Sequence, residues 1–207
     1  MRLFFDMDGV LAVYETSAYQ SVAGEVPTFE DAQRHYFRSC LPDERMVEVA
    51  RALRDTVPTA YLTKIHNDIA IAATQFADKV DWLRAQGLSN DPLDGSHSSE
   101  YPCIPDIIAC LCTDDCPTKA EWLARVLDTR PHAGDILIDD RNEELQSWTR
   151  MGGVSIKYCN GYSNSIDSWN GLSILPSHTA SDIIAILDRC ICGGFAKTHA
   201  ANTMRPC

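Results

Sequence analysis

Much about this chain is set by what it lacks. No run approaches the roughly 18 apolar residues that a membrane-spanning helix requires, so no helical span is expected in its 207 residues. Basic residues are few: 18 Lys and Arg stand against 29 Asp and Glu, a formal net charge of −11. A general grip on nucleic acid depends on Lys and Arg neutralising phosphates, and no stretch here is basic enough to form a polynucleotide track. A C-x2-C pair is absent as well. Cys103, Cys110, Cys112 and Cys116, with His97, therefore lack the paired spacing of a structural zinc site. Nine cysteines is an odd number, and a chain this long folds without staples, so they read as thiols rather than a disulfide framework. The opening segment has no apolar leader core, because carboxylates arrive at Asp6 and Asp8; a cytoplasmic location is the expectation. Internal repeats are absent too.

What is present is a series of short apolar runs separated by helical patterns. At 45% hydrophobic, the chain can bury one good core and a small accessory unit. Strands are expected at residues 2–5, 59–62, 107–111, 136–138 and 154–157. The intervening patterns predict helices over 67–85, 119–127, 142–151 and 181–191. In the first of these, Ile69, Ala73, Phe76, Val80 and Leu83 have the spacing of a core-facing stripe. Alternation of this kind predicts an α/β fold with a doubly wound parallel sheet. Residues 12–56 break the alternation with an aromatic-rich helical segment, and Pro42-Asp43 is the start signal of its last helix. Residues 193–207 show no periodicity and read as a flexible tail.

The most informative segment is Asp6-Met7-Asp8-Gly9-Val10-Leu11, directly after the apolar run Leu3-Phe4-Phe5. In an open parallel sheet, ligands bind outside the carboxyl ends of the strands. Two carboxylates there can divide labour, one as nucleophile and one moving a proton. They also concentrate negative charge, which favours a hard, oxygen-seeking cation such as Mg2+. On the pair alone, a solvated turn remains an alternative. Three more pieces stand in order along the chain: Thr63 after Ala60-Tyr61-Leu62, Lys119 at a helix start, and Asp139-Asp140 after Ile136-Leu137-Ile138. Phosphoryl transfer needs such parts: a nucleophile, acidic metal ligands, and donors or cations for the phosphoryl oxygens.

Over roughly residues 1–180 this order resembles the haloacid dehalogenase superfamily of aspartate-nucleophile phosphatases. Within it the chain is most similar to 5'-nucleotidases of the deoxyribonucleotidase type, through Asp8-Gly9-Val10-Leu11, Leu137-Ile138-Asp139-Asp140-Arg141, and Trp148 with Gly152-Gly153. Asp78-Lys79-Val80-Asp81-Trp82-Leu83 is similar to a charged helix segment of that family, and Thr63-Lys64 stands where those nucleotidases carry Ser-Pro. The resemblance implies a Rossmann-like core of residues 1–11 and 57–192, with a helical cap at 12–56. It implies Asp6 as nucleophile and Asp8 as general acid and base. Thr63 and Lys119 would bind phosphate. Mg2+ would be held by Asp6, Asp139 and the backbone carbonyl of Asp8, with Asp140 behind them holding a metal-bound water or Lys119. The substrate implied is a small phosphorylated metabolite, a nucleoside 5'-monophosphate on the nearest likeness, with Tyr14, Tyr19 and Phe29 as candidates for stacking on the base. A sugar phosphate or other phosphomonoester, and a non-catalytic phospholigand binder, are the alternatives.

Overall fold

The computed structural model describes residues 1–13, 36–89, 107–111, 113–160 and 168–192. Six short strands form one parallel sheet: β1 (Leu3–Phe5), β2 (Thr59–Ile65), β3 (Ile107–Leu111), β4 (Ile136–Asp139), β5 (Val154–Tyr158) and β6 (Leu172–Ile174). Their spatial order is β3-β2-β1-β4-β5-β6. The chain therefore starts in the middle, builds outward to β3, and returns to the other side of β1 with β4. Phe5 is flanked by Tyr61 of β2 and Ile138 of β4. This reversal of strand order leaves a crevice at the carboxyl ends of β1 and β4, where open α/β sheets bind ligands.

Side chains alternate across each strand, so each face of the sheet has its own apolar layer. Leu3, Phe5, Tyr61, Ile136, Ile138 and Ile156 face α1 (Glu44–Leu53) and α5 (Ala180–Ile191), together with Trp82 and Leu83 of α2 (Ile69–Ala85). Phe4, Ala60, Leu62 and Leu137 face α3 (Lys119–Val126) and α4 (Asn142–Arg150) through Ala120, Leu123, Leu145 and Trp148. Helix α1 starts where Pro42-Asp43 predicts. The Asp43 carboxylate accepts the N–H groups of Arg45 and Met46, supplying partners that the helix itself cannot.

Four expectations need correction. Helix α1, expected within the cap, buries Met46, Val47, Val49 and Ala50 in the same apolar layer as β1, so it is part of the core. The rest of the expected cap, residues 14–35, lies outside the described residues, as does the expected tail. The stripe on α2 is rotated: Ile69 is 79% exposed and Phe76 is exposed too, while Ile71, Ala72, Asp78, Lys79, Trp82 and Leu83 are buried. Trp82 gives the physical reason. Its large ring packs edge-on against Phe37 and its indole N–H donates to the Cys40 carbonyl at 2.8 Å. The neighbouring buried charges pair across the fold, Asp78 with the exposed Arg38 and Lys79 with Asp8, which an apolar pattern cannot show. Strand β2 runs on to Ile65, so Thr63 lies within the strand, beside Ala109 of β3. The sixth strand, Leu172–Ile174, is too short for a periodicity to register.

Two glycines shape the turns that matter. Gly9 follows the carboxylate pair with φ +77°, a left-handed conformation that costs glycine little. Gly153 packs so closely under Trp148 that a Cβ there would lie 2.2 Å from the indole nitrogen. Among the described residues, no helix is long and apolar enough to cross a membrane.

Candidate active site

Asp6 ends β1 by geometry: its N–H donates to the Ile138 carbonyl of β4 at 2.9 Å, the last link between the two strands. Its carboxylate accepts the N–H of Met7 at 2.7 Å and lies 2.7 Å from the ammonium of Lys119. Asp139 ends β4 next door. Its Oδ2 is 2.6 Å from the same ammonium, and its Oδ1 accepts the Arg141 N–H at 2.8 Å. Lys119 thus bridges the two strand-end carboxylates, and all three groups are buried.

The placement of Lys119 follows from its helix. Thr118 caps α3 by accepting the Glu121 N–H, and the buried Glu144 of α4 accepts the Lys119 N–H at 2.8 Å. A helix N-terminus disfavours a cation and favours an anion, and Glu144 supplies that anion. Glu144 also pairs with the ammonium of Lys64.

Oxygens of Asp6, Asp139 and Asp140 lie within 4.8 Å of one another. Asp140 is held from β5. Its carboxylate accepts the Asn160 amide at 2.9 Å, its backbone carbonyl accepts from Lys157, and the same Asn160 amide donates to the Gly9 carbonyl at 2.8 Å. The expected standing of Asp140 was behind the metal ligands; the structure puts its carboxylate among those of Asp6 and Asp139.

Asp8 faces another way. Its Oδ2 accepts the Thr63 hydroxyl at 2.9 Å and pairs with the ammonium of Lys79, which also donates to Thr63 at 2.7 Å. Lys79 lies 4.3 Å over the ring of Phe37, a desolvated cation–π contact. Thr63, fully buried, spends its hydroxyl on Asp8 in this arrangement. Tyr14, Tyr19 and Phe29 lie outside the described residues. Glu144, Lys157 and Asn160 are not among the residues the sequence points to, and Lys79 enters there only within the segment Asp78-Lys79-Val80-Asp81-Trp82-Leu83. For Lys79 a signal existed: two adjacent opposite charges, Asp78 and Lys79, flanked by apolar residues within one helix.

Burial dominates the electrostatics. It raises the Asp6 carboxyl above its ordinary range, with Lys119 only partly offsetting it. It lifts Asp139 well above that range against the same opposing charge, and pushes Asp140 up to about 6 with help from the Asp6 charge. For Lys119 burial pulls down, but Asp139, Asp6 and Glu144 outweigh it and raise the group well above normal. Three buried carboxylates driven toward protonation form a site that a divalent cation would relieve. The donor set is all oxygen, which suits a hard cation such as Mg2+. At Mg–O distances of 2.0–2.1 Å, oxygens around one ion sit roughly 3–4 Å apart, within the observed spread. Asp6, Asp8 and Lys119, with Lys64, Ile65, His66, Gln75, Lys79, Arg141 and Glu144, line a cavity of about 320 Å³.

No protein-family model matches the chain, and no curated protein matches it in sequence. Solved structures do match in fold. A haloacid dehalogenase-like family hydrolase from Streptococcus pneumoniae superposes with a TM-score of 0.54 at 13% identity, over 89% of this chain and 97% of that one. A D,D-heptose 1,7-bisphosphate phosphatase from B. bronchiseptica, complexed with magnesium and phosphate, gives 0.56 at 14% identity, over 91% and 99%. A hydrolase from Pseudomonas syringae gives 0.53 at 15% identity, again over 91% and 99%. At these identities the likeness establishes the fold: the α/β Rossmann-like architecture of those hydrolases.

Proposed function

We propose that this protein is a Mg2+-dependent phosphomonoester hydrolase that works through an aspartyl-phosphate on Asp6. One observation carries the reading: the carboxylates of Asp6, Asp139 and Asp140 converge around a buried lysine at the switch point of the sheet. The fold shared with a phosphatase complexed with magnesium and phosphate supports it.

Asp6 attacks phosphorus in line, and the bond to the leaving alcohol breaks as the Asp6–phosphorus bond forms. Asp8, two residues on and anchored by Thr63 and Lys79, gives a proton to the departing oxygen. It then takes one from the water that hydrolyses the acyl phosphate. Lys119 neutralises phosphoryl charge and shields Asp6 from its anionic target. Asp6, Asp139 and Asp140 would hold Mg2+, which when bound supplies the positive charge that draws a phosphoryl oxygen into this acidic cleft. A pure phospholigand binder would need neither a nucleophile nor an acid, and this site offers both.

The test is hydrolysis of phenyl phosphate with Mg2+, with isolation of the phosphorylated enzyme after an acid quench. Asp6→Asn removes the nucleophile without changing volume, so turnover falls at least 1,000-fold and no phosphoprotein forms. Retention of more than a few per cent of wild-type turnover refutes the assignment.

The finer reading is a nucleoside 5'-monophosphate as substrate, with Tyr14, Tyr19 or Phe29 stacking on the base; a sugar phosphate is the second reading. Loss of a stacking contact costs about 1–3 kcal/mol, so truncating each to Ala against a nucleoside monophosphate and phenyl phosphate separates the two. If none of the three discriminates, the nucleotide reading gives way.

A further inference from the structure

The cleft that holds Asp6, Asp8 and Lys119 extends to the β2–α2 connection through Lys64, Ile65 and His66. Small-molecule pockets run from about 300 to 1,000 Å³, and this one sits at the small end. The β2–α2 connection supplies one wall, and its hydrogen bonds hold His66 in one orientation. The backbone N–H of His66 donates to Gln75 Oε1 at 2.8 Å, while its Nδ1 accepts the Asp68 N–H at 2.9 Å. Asp68 in turn caps α2 by accepting the N–H groups of Ala70 and Ile71. A neutral imidazole that accepts at Nδ1 carries its proton at Nε2, so the ring offers a fixed donor at its far edge. None of the phosphoryl chemistry uses it.

We infer that His66 recognises the leaving group: its Nε2–H donates to a hydroxyl oxygen of the departing alcohol, and the substrate is the phosphate ester of a polyhydroxy alcohol. The inference rests on the phosphatase reading and narrows it to a substrate class that includes both sugar phosphates and nucleotides. A site built to hydrogen-bond a hydroxyl discriminates strongly against an analogue that lacks one. The capped loop fixes the donor before substrate arrives, which lowers the ordering cost of binding.

Ribose 5-phosphate and phenyl phosphate are the probes, and the readout is the ratio of their kcat/KM values in wild type, His66→Phe and His66→Gln. The ratio favours ribose 5-phosphate in wild type. It falls about tenfold in His66→Phe, which keeps a ring but loses the donor. It recovers in part in His66→Gln, whose amide nitrogen reaches the place of Nε2. Simple loosening of the loop affects both variants alike, because both lose the acceptor for the Asp68 N–H. A ratio within twofold of wild type in His66→Phe, equal losses in both variants, or a wild type that prefers phenyl phosphate overturns the inference alone. Absence of turnover of either ester by wild type overturns the hydrolase reading and the inference with it.

Discussion

Single carboxyl groups set the pH behaviour of this molecule, and Asp140 shows it most clearly. A group held at about 6 in the fold, against about 3.9 in an unfolded chain, binds its proton more tightly when folded. Its contribution is fully present below pH 4 and is lost as pH rises through 6, because the folded state then carries an unfavourable buried charge. The metal-free protein therefore loses up to about 3 kcal/mol of stability relative to Asp140→Asn between pH 4 and 7. Urea denaturation in a chelator, at both pH values, measures the difference. A gap that does not widen with pH rules the assignment out. Residues at strand ends were readable in advance, since a short apolar run followed by acid marks the active edge of a parallel sheet. Asp6, Lys119, Asp139 and Asp140 do come together. Glu144 and Asn160 were not readable, because each acquires its partner only when distant segments meet: Glu144 with Lys119, Asn160 with Asp140.

At the level of elements, sequence pattern served strands and short helices better than the long one. Helices α3 and α4 begin at the expected residues, because Thr118 caps the first and the acid-rich turn leads into the second. Helix α2 has two candidate faces, and the winning one carries two buried charges, each with an ion-pair partner, and a tryptophan. Tertiary pairing overrides a modest apolar stripe. The turn from α4 into β5 yields a prediction at this scale. Gly153 leaves no room for a side chain beneath Trp148, whose own N–H donates to the Asp135 carbonyl at 3.1 Å. Gly153→Ala must shift either the indole or the strand, and overpacking of this kind costs about 1–3 kcal/mol. The denaturation midpoint should fall accordingly, and an unchanged midpoint would show that the turn yields freely.

Over the whole molecule, the proposed cation site predicts a stability that depends on the cation. Each of Asp6, Asp139 and Asp140 pays for burial in the metal-free fold. A cation that binds only the folded state stabilises it by mass action, about 2.7 kcal/mol at 100 times its Kd. Mg2+ should therefore raise Tm in a concentration-dependent way and restore activity after chelation. Full activity in a chelator, or restoration by Zn2+ alone, contradicts the all-oxygen site. The Tm shift should be larger at pH 7 than at pH 5, since protons compete for Asp140.

The strand order has a consequence for synthesis. β1 emerges first, yet one of its two neighbours in the sheet, β4, begins at Ile136. At ribosomal speeds of 5–20 residues per second, the gap lasts on the order of 10 s. During it one of the two central strands has an open edge, the kind of surface on which chains aggregate. Asp6 and Asp8 follow that strand directly, so a growing chain carries two negative charges at the border of its exposed apolar run. The same residues that build the cleft would then act as gatekeepers for the nascent chain before any cleft exists.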